Sequence, residues 1–164
     1  MLVNFFRVFN AIVLWGIVFF FLPKRSIKRF LPVTLFCSAI ILIQTLLNPI
    51  FGWWKVKGGY KYMVFDAIAF IIGPFFTTNL WVFHFTYKKF TLYALTNLVF
   101  DIIFAFVLSP FFEKVGHYKL KKYSRKTIFI IFYLFSLMNY GFQILFEKSK
   151  DSETDLQRGK YIEK

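Results

Sequence analysis

Apolar residues occur in five long blocks separated by short basic segments. The blocks cover approximately residues 3–22, 30–51, 62–85, 90–112 and 127–146. An α-helix of about 20 apolar residues crosses a hydrocarbon core of about 30 Å. The pattern therefore predicts an all-α integral membrane protein, a bundle of about five transmembrane helices in a single domain over residues 1–147. Residues 148–164 have balanced charge and little to bury, which predicts a mobile polar tail.

The third block contains a helix-breaking pair at its centre. Gly73 and Pro74 stand in the run "FIIGPFF". A proline inside a helix removes one N–H donor and frees the carbonyl four residues back, here that of Phe70. The sequence predicts a third helix kinked at Gly73–Pro74, with a re-entrant hairpin as the alternative.

A single acid, Asp101, stands at the midpoint of the fourth block, in "TNLVFDIIFAF". An ionised carboxylate at a bilayer centre costs at least ~2.5–3.5 kcal/mol, so this side chain should face protein or water. Tyr93, Asn97 and Asp101 are spaced four apart and share one helix face. The short loop after the third block sets Asp101 level with Pro74. There a protonated Asp101 could donate a hydrogen bond to the carbonyl of Phe70, or an ionised one could hold a cation together with that carbonyl.

The other blocks also carry polar faces. On the third block Asp66, Gly73, Thr77 and His84 share a face, on the second Cys37, Gln44 and Asn48, and on the fifth Tyr133, Ser136, Tyr140, Gln143 and Glu147. We expect these faces to point into a bundle of the second to fifth helices, with the first helix packed outside it or against a partner. The candidate intramembrane polar site comprises Asp101, Asn97, Tyr93, Pro74, Gly73 and Thr77. The competing interpretation is that such groups only join helices by hydrogen bonds of about 0.6 kcal/mol each.

The charge of the chain points to a lipid surface. There are 21 Lys and Arg against 8 Asp and Glu, and every basic segment lies beside an apolar block, so lipid phosphates are nearer partners than nucleic acid. The segment "EKVGHYKLKKYSRK" is the most basic. Its candidate contacts with anionic lipids are Lys119, Lys121, Lys122, Arg125 and Lys126. The alternative is a solvated loop.

The orientation follows only weakly from charge. Lys and Arg divide almost evenly between the two sides of a five-helix topology, and discounting the distal tail favours a cytoplasmic N-terminus. The sequence carries no phosphate-binding glycine loop, nucleophile elbow or metal-ligand spacing, so we expect no enzyme, no cofactor and no metal. The one cysteine, Cys37, has no intramolecular partner.

One stretch resembles a known group of proteins. The hairpin "GPFFTTNLWVFHFTYKKFTLYALTNLVFDIIFAF", followed by "FFEKVGHYKL", is similar to an uncharacterised family of small multispanning membrane proteins of spore-forming low-GC Gram-positive bacteria. The resemblance covers approximately residues 60–145. It implies a location in the bacterial cell membrane and transfers neither an activity nor a site.

Three functions remain open at this point. The first is a non-enzymatic interaction or accessory component that associates with a second copy or with another membrane protein. The second is a small ion- or proton-coupled transporter or channel component that uses Asp101 at the membrane midplane. The third is a membrane enzyme that acts on a lipid, for which no reactive set of residues stands in the sequence.

Overall fold

The protein is built almost entirely of helices. The structure is a computed structural model that describes the backbone of residues 2–114, 116 and 118–162 and the side chains of residues 9–114, 116 and 118–152. The helices are α1 (Leu2–Phe21), α2 (Lys24–Phe51), α3 (Tyr60–Phe70), α4 (Phe76–Thr86), α5 (Phe90–Ile103), α6 (Ser109–Lys114) and α7 (Arg125–Ile162). The π-helical turn π1 (Ile71–Phe75) joins α3 to α4, and the turn π2 (Phe104–Leu108) joins α5 to α6.

These helices form five rods. The first rod is α1, the second α2, the third α3–π1–α4, the fourth α5–π2–α6 and the fifth α7. Four rods contain helices long and apolar enough to cross a membrane: Lys24–Phe51, Tyr60–Thr86, Phe90–Lys114 and Arg125–Ser152. The all-α prediction is confirmed, and each of the last four predicted spans coincides with one of these helices.

The hydrophobic core of the bundle combines buried residues of all five rods, including Val18 of α1 and Leu22 directly after it. Phe83 and Tyr93 are fully buried there, and their rings lie 4.9 Å apart between centroids. Polar residues share this interior, since Thr77 and Gln143 are 2% and 0% exposed. The prediction that the polar faces of these rods point inward is confirmed by the burial of eight of their members: Cys37, Asn48, Thr77, Tyr93, Asp101, Ser136, Tyr140 and Gln143.

The first rod packs on the outside of the bundle, against the third. The indole N–H of Trp15 donates to the carbonyl of Ile72 at 2.8 Å. A Cβ atom placed on Gly73 would lie 3.8 Å from the Cβ of Ala11, so the small residue allows a close approach of the two rods. The outer face of α1 is apolar and open, with Phe20 88% exposed. The first helix therefore has an open outer face, but its inner face contributes to the core through Val18, which differs from a helix packed wholly outside the bundle.

The third rod contains one residue with non-helical dihedral angles, Gly73. Gly73 has φ −84° and ψ −109°, outside the helical range, within the turn π1 that also contains Pro74. The hydroxyl of Thr77 donates to the carbonyl of Gly73 at 2.9 Å, one turn earlier in the same rod. The rod nevertheless continues to Thr86 without a loop.

Two loops that the sequence leaves as irregular segments pair with each other. Strands β1 (Trp54–Val56) and β2 (Tyr118–Leu120) form an antiparallel ribbon with Lys55 opposite Lys119. The sequence pattern predicts no strand at these residues, and the pairing is a finding of the structure. The ribbon places the connection after the second rod and the connection after the fourth rod at the same end of the bundle, as alternating helices require. We call this end the ribbon end.

The fifth rod is longer than predicted. Its helix extends through Ile162, across the stretch 148–162 for which the sequence predicts a mobile polar tail. The helical backbone is a local conformation, and the mobility of this stretch stays a prediction.

Candidate functional site

A cavity of about 200 Å³ lies between the second, third, fourth and fifth rods, around Asp101. Its walls are formed mainly by phenylalanine and aliphatic side chains. Its polar lining residues are Cys37, Thr78, Asn79, Asn97, Asp101, Ser136 and Asn139. A carboxyl, three amides and two hydroxyls thus surround a space that is otherwise apolar.

Asp101 is held in this cavity by one weak contact. Its side chain is 9% exposed, and the hydroxyl of Ser136 lies at a long 3.5 Å from Oδ2. The same hydroxyl also donates to the carbonyl of Phe132 at 3.1 Å, so the acid shares its donor. Among the residues whose side chains are described, no Lys or Arg pairs with Asp101. The carboxyl therefore keeps unused hydrogen-bonding capacity toward the cavity.

The polar face of the fourth rod points into the bundle, and its residues either bind the fifth rod or line the cavity. The Tyr93 hydroxyl donates to the carbonyl of Ser136 at 2.9 Å and ties the fourth rod to the fifth. The amide of Asn97 donates to the carbonyl of Tyr93 at 2.9 Å, and its side chain lines the cavity. Tyr93 thus acts as a structural tie, whereas Asn97 and Asp101 border open space.

The third rod meets the cavity with a different face from the predicted one. Pro74 and Phe70 line the cavity together with Asp101, as the alignment of the hairpin required. Thr77 and Gly73 do not, because they turn toward the first two rods. The residue of the third rod that lines the cavity in place of Thr77 is one position later than the predicted residue, which corresponds to a rotation of about 100° around the helix axis. Asp101 accepts its hydrogen bond from the hydroxyl of Ser136, whereas the sequence had suggested a bond to the carbonyl of Phe70.

The site also contains two asparagines that the sequence pattern did not predict. Asn79 and Asn139 are 9% and 3% exposed, and both line the cavity. The Nδ2 atom of Asn79 and the Oδ1 atom of Asn139 are buried without a hydrogen-bond partner among the described residues. Asn139 could have been found, because it follows Ser136 by three positions on the same helix face. Asn79 lies off the polar face that the spacing of the third block defines.

The ribbon end carries a second candidate site made of lysines. Lys55 and Lys119 lie directly opposite each other on the ribbon, and both are exposed. Lys121 follows β2, and the neighbouring Lys55 lowers the pKa of Lys121 from its ordinary value by hydrogen bonding and charge repulsion. Like charges this close destabilise each other until an anion lies between them. The ribbon therefore presents a surface suited to an anionic group.

Aromatic residues form the base of this lysine surface. The carbonyl of Trp53 accepts hydrogen bonds from the backbone N–H groups of Lys121, Lys122 and Tyr123 at 3.0, 3.1 and 3.2 Å. The rings of Trp53 and Tyr123 stack with centroids 5.2 Å apart. Asn48 fixes the start of the ribbon, since its side chain bonds both the N–H and the carbonyl of Trp54, at 3.0 and 2.9 Å. Tryptophan and tyrosine beside lysine are typical of a membrane–water boundary.

The predicted lipid-contact residues all lie at this end. Lys119, Lys121, Lys122 and Lys126 are exposed, whereas Arg125 lies 3.6 Å from the carboxylate of Glu113. The ribbon adds Lys55 and Lys57 to the same surface, because it brings the connection after the second rod beside the one after the fourth. Sequence spacing does not indicate that pairing, since more than 60 residues separate the two strands. The lysine surface is defined below as Lys55, Lys57, Lys119, Lys121, Lys122 and Lys126.

The opposite end is closed by an ion-pair cluster. Arg29 of α2 binds Glu147 of α7 through two contacts, Nε to Oε1 at 2.5 Å and an Nη atom to Oε2 at 2.7 Å. The Tyr87 hydroxyl and the Gln143 amide also donate to Glu147, at 2.9 and 2.8 Å. Burial and the bond to Glu147 raise the pKa of Tyr87 to about 12, so the hydroxyl stays a donor at neutral pH. This cluster joins the second rod, the turn of the hairpin and the fifth rod.

The fold and the two candidate sites assign this protein only to a general structural class. The described residues form a helical protein with four helices long and apolar enough to cross a membrane, and contain no group of three potential metal ligands. A scan against protein-family models and searches of curated proteins and of solved structures found no significant match.

Proposed function

We propose that this chain is an integral membrane protein of the cell membrane that works by binding rather than by catalysis, and that its lysine surface holds anionic lipid headgroups. The insertion of the rods is supported by their outer faces. Ile50 and Leu145 are 76% and 69% exposed, and exposed aliphatic and phenylalanine side chains follow all five rods. A soluble protein rarely exposes contiguous apolar surface on this scale, whereas hydrocarbon tails are a suitable solvent for it.

The observation that carries the proposal is the lysine surface on its aromatic base. Each Lys near an anionic leaflet contributes about 1 kcal/mol of attraction. Six lysines beside stacked Trp53 and Tyr123 form a surface that fits the phosphates of a headgroup layer. An anionic, cytoplasmic leaflet at the ribbon end would also place the N-terminus in the cytoplasm, because α1 begins at that end. The same proposal includes a kink of the third rod at Gly73–Pro74, which is supported by the non-helical dihedral angles of Gly73.

The test compares two charge-matched variants. In the ribbon variant, Lys55, Lys57, Lys119 and Lys121 are changed to Gln. In the control variant, Lys24, Lys28, Lys88 and Lys89, which lie at the opposite end, are changed to Gln. Each purified protein is exchanged into nanodiscs of phosphatidylcholine with a minor fraction of phosphatidylglycerol, and native mass spectrometry counts the anionic lipids that stay bound.

We expect the ribbon variant to hold phosphatidylglycerol at least tenfold more weakly than the wild type, and the control variant to lose less than threefold. Unchanged thermal unfolding would show that both variants are folded. Equal losses in the two variants would mean that only net charge matters, and no loss in the ribbon variant would refute the lysine surface as a lipid site.

The second function, an ion- or proton-coupled transporter or channel component, is favoured by the cavity around Asp101. It predicts that Asp101→Asn keeps expression and folding but abolishes ion or proton flux into liposomes. No described residue set favours the third function, an enzyme acting on a lipid. A second copy or another membrane protein remains the partner expected of an accessory component, and the open outer face of α1 is the surface to test by crosslinking.

A further inference from the structure

The cavity around Asp101 opens sideways between two rods rather than at either end of the bundle. Among its lining residues, Pro74 and Thr78 of the third rod and Phe100, Ile103 and Leu108 of the fourth are exposed. These positions lie near the middle of the two rods, between the ribbon end and the ion-pair cluster. With the rods in a bilayer, the mouth faces lipid tails, so anything that enters must have an apolar body.

The interior of the cavity offers both acceptors and a donor that the protein leaves unused. Asp101 has only the long contact with Ser136, Asn139 Oδ1 has no partner and Asn79 Nδ2 has no partner among the described residues. A buried polar group left unsatisfied costs about 1–3 kcal/mol. The unpaired amide atoms of Asn79 and Asn139 and the weakly bonded carboxyl of Asp101 therefore point to a ligand that makes hydrogen bonds with them.

The volume limits the size of that ligand. A cavity of 150 Å³ in an apolar protein core binds benzene, a measured case for a different protein. The present cavity, at about 200 Å³, has room for a ring of that size with a short polar substituent. Its phenylalanine walls suit an aromatic or branched aliphatic body.

We propose that this cavity is a binding site for a small amphiphile that enters from the lipid phase, with its apolar body against the phenylalanine walls and a hydrogen-bond-donating head, an amine or a hydroxyl, against Asp101 and Asn139. This inference goes beyond the proposed function and does not depend on the lysine surface. An ammonium head would neutralise an ionised carboxylate, and a hydroxyl head would serve a protonated one, so the two heads share one binding geometry. The site needs no transport activity to operate.

The experiment uses three probes that share a body. Benzylamine, benzyl alcohol and toluene are titrated separately against the purified full-length chain in nanodiscs, and the thermal midpoint is followed by tryptophan fluorescence. Toluene measures partitioning and filling by the body alone. Apparent dissociation constants follow from the dependence of the midpoint on probe concentration.

We expect at least one of the two donor probes to bind tenfold or more tightly than toluene. An advantage of benzylamine should disappear in Asp101→Asn, which removes the charge, and an advantage of benzyl alcohol should disappear in Asp101→Leu, which removes the acceptor. Both should persist in Asp66→Asn, which changes an acid that does not line the cavity. A stronger effect of benzylamine would identify an ionised carboxylate, and a stronger effect of benzyl alcohol a protonated one. Equal constants for all three probes, or an advantage that survives in Asp101→Leu, would overturn the proposal.

A second measurement covers the case in which Asp101→Asn does not fold. Thr78 is exposed at the mouth, so Thr78→Trp should fold while obstructing entry. The advantage of a donor probe over toluene in the thermal midpoint should fall below threefold in Thr78→Trp and persist in Ile72→Trp, which changes an exposed residue of the third rod that does not line the cavity. An advantage that persists in full in Thr78→Trp would overturn the proposal, whatever the outcome for the lysine surface.

Discussion

Removal of the Arg29–Glu147 ion pair should destabilise the bundle measurably, although both side chains are partly accessible. The side chain of Arg29 is 41% exposed and that of Glu147 is 23% exposed. Fully exposed pairs contribute about 0.2–1 kcal/mol, while breaking a buried pair costs about 3–5 kcal/mol. The geometry is bidentate, and the guanidinium also lies 4.7 Å from the ring centroid of Tyr87, a favourable cation–π arrangement. We therefore place the cost of Arg29→Gln at about 1–2 kcal/mol.

The chain contains a matched control at its other end. Arg125 approaches Glu113 with a single contact of 3.6 Å and is 51% exposed. Such a pair belongs with exposed ion pairs, so Arg125→Gln should cost less than about 0.5 kcal/mol. Both substitutions remove one positive charge from a rod terminus, and they differ in the quality of the contact that is lost.

Unfolding by sodium dodecyl sulfate in mixed micelles, followed by tryptophan fluorescence, gives the free energies. A double-mutant cycle of Arg29→Gln with Glu147→Gln should yield a coupling energy of about 1 kcal/mol or more. A coupling below about 0.3 kcal/mol in variants with wild-type helix content would refute the reasoning, because it would mean that the short contacts add nothing to the packing of α2 on α7.

Three further substitutions test local features by the same unfolding assay. Gly58→Ala should destabilise by about 1–3 kcal/mol, since Gly58 has φ +100° and a Cβ there would lie 2.6 Å from the ring of Tyr62. Gly141→Ala should be neutral or stabilise by up to about 1 kcal/mol, because it lies within α7 with open space around it; a loss above about 1 kcal/mol would contradict this placement. Tyr93→Phe should cost about 1 kcal/mol through its lost bond to Ser136, and no change in stability would argue against that bond.

The helices were predictable because each depends on local sequence alone. A run of about 20 apolar residues is sufficient to predict a helix, so each block indicated one rod, although α2 begins six residues before its block and α7 extends sixteen residues beyond its block. The inward faces followed from helical spacing, since burying Tyr93 and Asp101 on one face of the fourth rod requires nothing beyond a 3.6-residue period. The non-helical dihedral angles at Gly73 are also a local effect, because they arise at the Gly73–Pro74 pair itself.

Contacts between distant parts of the chain were not predictable in this way. The Arg29–Glu147 pair joins residues 118 positions apart, and its formation depends on which rods are neighbours around the bundle. The ribbon has the same origin. "WKV" and "YKL" are three residues each, too short to read as strands, and only the adjacency of two connections lets them pair.

The residues that the fourth rod contributes to the cavity were predictable, and those that the third rod contributes were not, for a geometric reason. The fourth rod presented Asp101 and Asn97 as expected, but the third rod presents Thr78 and Asn79 instead of Thr77. A one-residue step turns a helix by about 100°, which is enough to exchange one face for the next. The third rod packs against the first, second and fourth rods, including Ala11 beside Gly73, and these contacts cannot be predicted from the sequence of the third rod alone.

The polar groups of this interior differ in how far their hydrogen bonds are satisfied. At the ion-pair cluster both carboxylate oxygens of Glu147 have donors and the Tyr93 hydroxyl has an acceptor in the next rod, although Oε1 of Gln143 is buried there without a partner among the described residues. Around the cavity, Asn79 and Asn139 keep an unpaired atom each. A leucine at either position would remove a desolvation cost of about 1–3 kcal/mol, so these amides are poor choices for stability. Unpaired amides grouped around an acid in a cavity with a lateral mouth are therefore best explained by a partner that enters and leaves.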